Sequence, residues 1–101
     1  MSAENLKMIV ESDVSGLAYG DDLTNTVQID VERLLEKAPS DSTLLVHISR
    51  VGDQFKVALA LASEGLQFVL NSTARSPFVA SEKALNLAWD KVRVWSAGKR
   101  F

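Results

Sequence analysis

The fold is decided by residues 43–73, which read TLLVHISRVGDQFKVALALASEGLQFVLNST. Large apolar residues alternate there with small or polar ones, a pattern that indicates strands with one buried face. Gly52-Asp53 interrupts the alternation with a turn signal, and Ser63-Glu64-Gly65 does so again. Because the large side chains all fall on one face, we expect helices to cover that face and to leave the other uncovered. The predicted strands are residues 43–51, 54–62 and 66–73.

One more strand and two helices are predicted on either side of this stretch. Residues 6–11 are rich in strand formers and predict a first strand, followed by a loop over residues 12–22. Apolar residues spaced three and four apart then predict a helix that begins near Thr24, whose hydroxyl would cap it, and that ends before Pro39. Ser76-Pro77 opens a second helix. The predicted core stripe of that helix is Phe78, Leu85, Ala88, Trp89, Val92 and Trp95.

The resulting order is β-α-β-β-β-α, an α+β fold in which a four-stranded mixed sheet has two helices packed on one face. The 101 residues, 47% hydrophobic and 24% charged, fit one domain spanning residues 1–101. The absence of cysteine excludes disulfide scaffolds, cysteine-based zinc sites and thiol catalysis. The first five residues lack the features of a signal peptide, and no apolar run approaches the ~20 residues of a membrane span. We therefore expect a cytoplasmic protein without membrane contact.

Few residues of the chain are candidates for catalysis. His47 is the only histidine, and its strand offers it no neighbouring carboxylate. The acidic pairs Asp21-Asp22 and Glu32/Glu36 fall in a predicted loop and on the solvent side of a predicted helix, where carboxylates are ordinary surface groups. No glycine-rich phosphate-binding loop is present. We expect no enzyme activity, no metal site and no cofactor.

Charge is distributed unevenly, although the formal net charge is only −2. Residues 1–49 carry three basic side chains against nine acidic ones, whereas residues 50–101 carry eight against four. An asymmetry of this kind can steer a charged partner. Ordinary solvation of a helix surface is the alternative. The candidates for contacts with RNA phosphates are Arg33, Lys37, Arg75, Lys83, Lys91 and Arg93, with Lys99 and Arg100 beyond them.

A second candidate surface is apolar. Ala80, Leu87 and Val94 are spaced seven residues apart on the second helix, opposite its predicted core stripe. Exposed apolar patches often mark partner surfaces, so this stripe predicts a protein-interaction or self-association site. Packing of the stripe against the first helix or the chain ends is the alternative. A further hypothesis is small-molecule binding on the uncovered sheet face, beside polar residues such as His47.

Local strings of sequence add to this pattern. Residues 23–27 read LTNTV and residues 31–37 read VERLLEK, while FKV at 55–57, FVASE at 78–82 and DKV at 90–92 follow later. Together with the order of the strands and both helices, these strings are similar to the hibernation-promoting factor family of bacterial ribosome-binding proteins, which includes the ribosome-associated inhibitor A. The resemblance extends over about residues 6–97.

The resemblance implies a stand-alone domain, similar in shape to double-stranded-RNA-binding folds, in the decoding region of the small ribosomal subunit. There it would block tRNA and mRNA without catalysis and silence translation in starved cells. Members place basic side chains of both helices against rRNA. Leu34 and Leu87 stand where typical members have lysine, which leaves open a protein-interaction or homodimerisation module that has lost rRNA binding. By position, the residues implied in rRNA contact are Arg33, Lys37, Arg75, Lys83, Lys91 and Arg93.

Overall fold

The computed structural model describes residues 5–17 and 20–98, so that Lys99 and Arg100 lie outside the described residues. The elements are β1 (Leu6–Val10), α1 (Ser12–Ser15), α2 (Gly20–Lys37), β2 (Thr43–Val51), β3 (Gln54–Ala62), β4 (Phe68–Ala74) and α3 (Pro77–Gly98). The strands form one sheet in the order β1-β2-β3-β4. β1 is parallel to β2, and the other neighbouring pairs are antiparallel. The predicted α+β fold with a four-stranded mixed sheet is confirmed.

The hairpin of β2 and β3 forms the centre of the sheet and sets its register. Gly52 has a φ angle of +64° in the turn, a left-handed conformation that glycine adopts without a side-chain clash. Val46 lies opposite Leu59, and Ile48 lies opposite Val57. All four of these side chains are buried. These four large residues therefore share the buried face, as the alternation predicts, whereas Leu45 of β2 lies on the other face.

α2 and α3 cover this buried face of the sheet. Each helix contributes residues spaced three and four apart, the spacing that keeps side chains on one side of a helix. The buried apolar residues are Leu23, Val27, Val31, Leu34 and Leu35 of α2, and Ala80, Ala84, Leu85, Ala88 and Val92 of α3. They pack against Leu44, Phe55 and Leu61 of the sheet in one core. Both helices lie on the same face, as predicted.

The first long helix begins at Gly20, four residues before the predicted start at Thr24. Thr24 lies inside α2, and its hydroxyl donates a hydrogen bond to the Gly20 carbonyl at 3.0 Å instead of capping the helix. Asp21 and Asp22 occupy the first turn, where the helix dipole favours carboxylates. Aspartate is also frequent in turns, which is why the sequence predicts a loop over residues 12–22. That predicted loop in addition contains the short helix α1.

β4 begins at Phe68, two residues later than the predicted start at Leu66. The Ser63 hydroxyl accepts a hydrogen bond from the Leu66 N–H at 2.9 Å and donates one to the Leu66 carbonyl at 2.7 Å. Both backbone groups of Leu66 are thus used inside the turn. Because the single N–H donor of Leu66 is used in this turn, it is not available for the ladder with β3.

α3 approaches the sheet through small side chains. Ala80, Ala84 and Ala88 are spaced four residues apart, and each is fully buried. The hydroxyl of Ser72 on β4 donates a hydrogen bond to the Ala80 carbonyl, which ties the first turns of the helix to the edge strand. The axis of α3 therefore lies close to the sheet at this end.

This packing corrects two predictions for α3. Ala80 is 0% exposed and faces the sheet, so it is not part of an exposed stripe with Leu87 and Val94. Of that predicted stripe, Leu87 and Val94 are on the surface, with 46% and 73% exposure. Phe78 is 38% exposed, so its assignment to the core stripe is also wrong. Both errors have one cause. The side of α3 that faces the sheet is the one that carries Ala80, Ala84 and Ala88, and Phe78 lies off that side.

Candidate nucleic-acid interface

A groove runs between α2 and α3 on the outside of the helical layer. Thr26, Asp30, Arg33 and Lys37 form its α2 wall, and their spacing of four, three and four places them on one flank of the helix. The α3 wall includes Glu82, Asn86, Trp89 and Arg93. The groove consists of two cavities of about 470 and about 320 Å³, both lined by Trp89.

The groove is acidic toward one end and basic toward the other. Asp30 and Glu82 line the larger cavity together with Arg33. Lys37 and Arg93 line the smaller cavity, which lies between the C-terminal halves of the two helices. The helices thus run side by side in the same direction, and the groove gathers three cations near their C-terminal halves.

Ion pairing leaves most of this positive charge available. Across residues 5–17 and 20–98, neither Arg33 nor Lys37 forms an ion pair. The Arg93 guanidinium does bind the carboxylate of Asp90, three residues earlier on α3. The two side chains are 67% and 62% exposed, and an exposed pair of this kind contributes only about 0.2–1 kcal/mol. A phosphate group can therefore replace the Asp90 carboxylate at small cost.

Arg75, Lys83 and Lys91 lie outside this groove. The Lys83 ammonium donates a hydrogen bond to the Thr73 carbonyl at 3.4 Å, on the side of α3 that faces β4. Lys91 is exposed two helical turns further along α3, and Arg75 is exposed in the turn between β4 and α3. The structure therefore brings together three of the six predicted phosphate contacts and separates the other three from them.

Trp89 is a residue of the groove that the sequence analysis places in the core. It is only half-buried, and its ring packs against the core on one side while it also lines both cavities. Its position four residues before Arg93 puts both side chains on one flank of α3. The sequence does show an aromatic residue one helical turn before a cation. Whether this residue lines a groove depends on the position of α2, which the spacing within α3 does not reveal.

The uncovered face of the sheet is more apolar than predicted. Ile9, Leu45 and Val69 are 38%, 39% and 71% exposed there. Ala58 and Ala60 of β3 lie between the flanking strands, with Ala60 next to both Leu45 and Val69. Small side chains between larger ones form a trough, and a cavity of about 590 Å³ opens at one end of it.

His47 has a carboxylate neighbour that the sequence analysis does not foresee. Parallel pairing places Ile9 next to His47, so that Glu11 at the end of β1 also reaches this side chain. The distance from His47 Nε2 to Glu11 Oε2 is 2.6 Å, and the ring N–H donates to the carboxylate. The side chains are 42% and 48% exposed. The pair is a surface contact that joins the end of β1 to β2.

The described residues hold neither a metal-binding cluster nor a membrane-spanning helix. No group of three or more histidine, aspartate or glutamate side chains is arranged to hold a metal ion there. Neither α2 nor α3, nor the short helix α1, is long and apolar enough to cross a membrane.

Comparison with solved structures identifies the fold. The N-terminal domain of Protein Y from Thermus thermophilus matches with a TM-score of 0.66 and 17% sequence identity, over 87% of this chain and 94% of that chain. A ribosomal subunit interface protein from Coxiella burnetii matches with a TM-score of 0.63 and 9% identity, over 91% and 97%. No protein-family model and no curated protein matches the sequence. Because Protein Y is a hibernation-promoting factor, the resemblance to that family is confirmed at the level of the fold.

Proposed function

We propose that this chain is a ribosome-associated, non-catalytic translation inhibitor that binds small-subunit rRNA through the basic end of the groove between α2 and α3. The observation that carries the proposal is the placement of Arg33, Lys37 and Arg93 along one groove on the exposed side of the helical layer. The fold supports it, because a Protein Y domain and a ribosomal subunit interface protein share it. This function places the protein in the cytoplasm, where it blocks translation sterically under starvation stress.

Phosphate contacts supply the affinity in this proposal. A lysine or arginine that neutralises a phosphate releases condensed counterions, which makes binding dependent on salt. Each such contact contributes about 0.7–0.9 to the slope of log affinity against log salt concentration. Three groove cations therefore contribute a slope of about −2 to −3. Binding of this kind is strong at low ionic strength and weakens steeply as salt is added.

Acidic side chains determine which surface meets the rRNA. Asp30 and Glu82 lie toward the other end of the groove, and Glu36 is exposed on α2 without lining either cavity. These carboxylates repel a polyanion, so the basic end of the groove is the part that approaches it. A second line of contacts to a neighbouring RNA strand, outside the groove, is formed by Arg75, Lys83 and Lys91.

Cosedimentation with purified small ribosomal subunits at rising salt tests the proposal. We expect the double variant Lys37→Glu with Arg93→Glu to lose most binding at every salt concentration and to reduce the salt slope by about 2, because two phosphate contacts are lost. The matched control is Lys7→Glu with Lys56→Glu, which changes the net charge equally on the uncovered sheet face. That control should bind within about twofold of the original chain.

Two outcomes of this experiment would refute the proposal. One is that the original chain does not bind subunits even at low salt. The other is that the groove variant and the sheet-face variant weaken binding equally, since a general charge effect would then explain both.

Self-association through Leu87 and Val94 is the second candidate function, favoured by their exposure of 46% and 73%. Lys83 and Lys91 each lie four residues from Leu87 and are exposed on the same flank of α3. A two-fold symmetric contact centred on Leu87 brings these cations close to those of the partner copy, a repulsion that Asp90 beside Leu87 offsets only in part. RNA binding therefore ranks above self-association.

A further inference from the structure

Trp89 has an environment that its role in the core does not explain. It lies where the two cavities of the groove meet, between the wall that carries Arg33 and Lys37 and its own neighbour Arg93. Its indole N–H makes no hydrogen bond within residues 5–17 and 20–98, and it is not among the buried polar atoms that lack a partner there. The N–H donor is therefore not sealed inside the core. Such a donor on a half-buried indole is typical of a binding surface.

The chemistry around Trp89 selects a ligand with both an aromatic ring and negative charge. The indole provides a flat apolar surface, and Lys37 and Arg93 line the same cavity of about 320 Å³. This volume falls at the lower end of the range of small-ligand pockets. Proteins that bind single-stranded nucleic acids combine the same two elements, aromatic side chains for the bases and cations for the backbone. An acidic peptide would satisfy the cations and leave the aromatic surface unused.

We propose that Trp89 stacks on the base of one unpaired nucleotide of the RNA partner, while the flanking phosphates contact Lys37 and Arg93. The inference rests on the proposed function and adds to it the kind of RNA that the groove recognises. Bases inside a continuous duplex stack on one another and are not open to an aromatic side chain, whereas bulged or looped bases are. The groove therefore distinguishes an interrupted RNA helix from a continuous one.

Affinity for two RNA hairpins of identical stem sequence, one carrying a single bulged nucleotide, tests this inference. We expect the bulged hairpin to bind more tightly than the fully paired one. Trp89→Ala should weaken binding of the bulged hairpin by about 5- to 100-fold, the range for loss of one aromatic–base stack, and leave the paired hairpin within about twofold. Trp89→Phe should retain part of the preference, because phenylalanine keeps an aromatic face.

Fluorescence gives a second readout in which Trp89 is kept, so that its packing against the core is not disturbed. The chain has two tryptophans, so Trp95→Phe leaves Trp89 as the single indole. Stacking of a base on Trp89 should quench its emission in a saturable way with the bulged hairpin and not with the paired one. Circular dichroism and thermal unfolding establish that each variant is folded before binding is measured.

The outcomes separate this inference from the proposed function. If both hairpins bind equally, Trp89→Ala weakens neither and Lys37→Glu with Arg93→Glu weakens both, the phosphate contacts stand and the stacking inference is wrong. If neither hairpin nor the small subunit binds at low salt, the proposed function itself fails. If polyglutamate competes as well as the bulged hairpin and quenches Trp89 equally, the groove binds acidic chains in general and the inference is overturned.

Discussion

At the residue scale, Arg93 binds a carboxylate in the free protein and exchanges it for a phosphate in the proposed complex. Its guanidinium binds the Asp90 carboxylate in the absence of RNA, and in the proposed complex it contacts a phosphate. Because the Asp90 pair is exposed, it contributes little to stability and competes only weakly. In that proposed complex the carboxylate would remain near the phosphate and repel it.

Removal of that carboxylate should strengthen RNA binding. Asp90→Asn keeps the shape of the side chain and frees Arg93, so we expect affinity for small subunits at low salt to rise by up to about fivefold. The free energy of unfolding should change by less than about 1 kcal/mol. The control is Asp53→Asn in the β2–β3 turn, which changes the net charge equally and should leave affinity unchanged. Weaker binding by Asp90→Asn would contradict the role of Arg93.

The chemistry of single residues could be predicted from sequence only in part. The cations were identifiable by type and helical spacing, and Arg33, Lys37 and Arg93 do meet in one groove. The partners of His47 and the position of Trp89 depend on contacts between elements distant along the chain. Glu11 lies 36 residues before His47, and spacing within one strand contains no information about such a pair.

At the element scale, α3 shows how small residues set the distance between a helix and a sheet. Ala80, Ala84 and Ala88 all have 0% exposure, so their methyl groups fill the space beneath the helix. A larger side chain at any of them has to move α3 away from β3 and β4. The predicted stripe for this helix favoured large apolar residues and therefore misplaced Phe78 and Ala80.

Overpacking of this contact should destabilise the fold. We expect Ala84→Leu to lower the free energy of unfolding by about 1–3 kcal/mol, because a well-packed core resists added volume. The matched control, Ala97→Leu near the exposed end of α3, should change it by less than about 0.5 kcal/mol. Urea unfolding followed by circular dichroism measures both. Equal effects of the two substitutions would show that α3 does not pack closely against the sheet.

The boundaries of elements were less predictable than their order. Alternation over residues 43–62 sufficed for the central hairpin, since buried residues alternate with more exposed ones along most of each strand. The start of α2 at Gly20 and the start of β4 at Phe68 instead depend on local hydrogen bonds. In the turn before β4, the Ser63 hydroxyl occupies both backbone groups of Leu66, and composition alone does not reveal such a contact.

At the scale of the whole molecule, the two-layer arrangement separates surfaces of different chemistry. The helical layer carries the groove, with carboxylates toward one end and cations toward the other. The opposite side of the sheet is apolar around Leu45 and Val69. A chain with a net charge of −2 can therefore still present a basic surface to a polyanion. The two layers could be predicted from the sequence. The separation of acidic and basic ends in the groove could not, because it depends on α2 and α3 running in the same direction.

Site-directed photocrosslinking on small ribosomal subunits tests the central claim most directly. The chain has no cysteine, so Ser96→Cys in the basic end of the groove and Gln54→Cys at the exposed end of β3 each provide one attachment point for a crosslinker. We predict that the probe at position 96 crosslinks to small-subunit rRNA, that excess salt abolishes the crosslink, and that the probe at position 54 gives none. Crosslinking to rRNA from position 54 alone, or equally from both positions, would contradict the account.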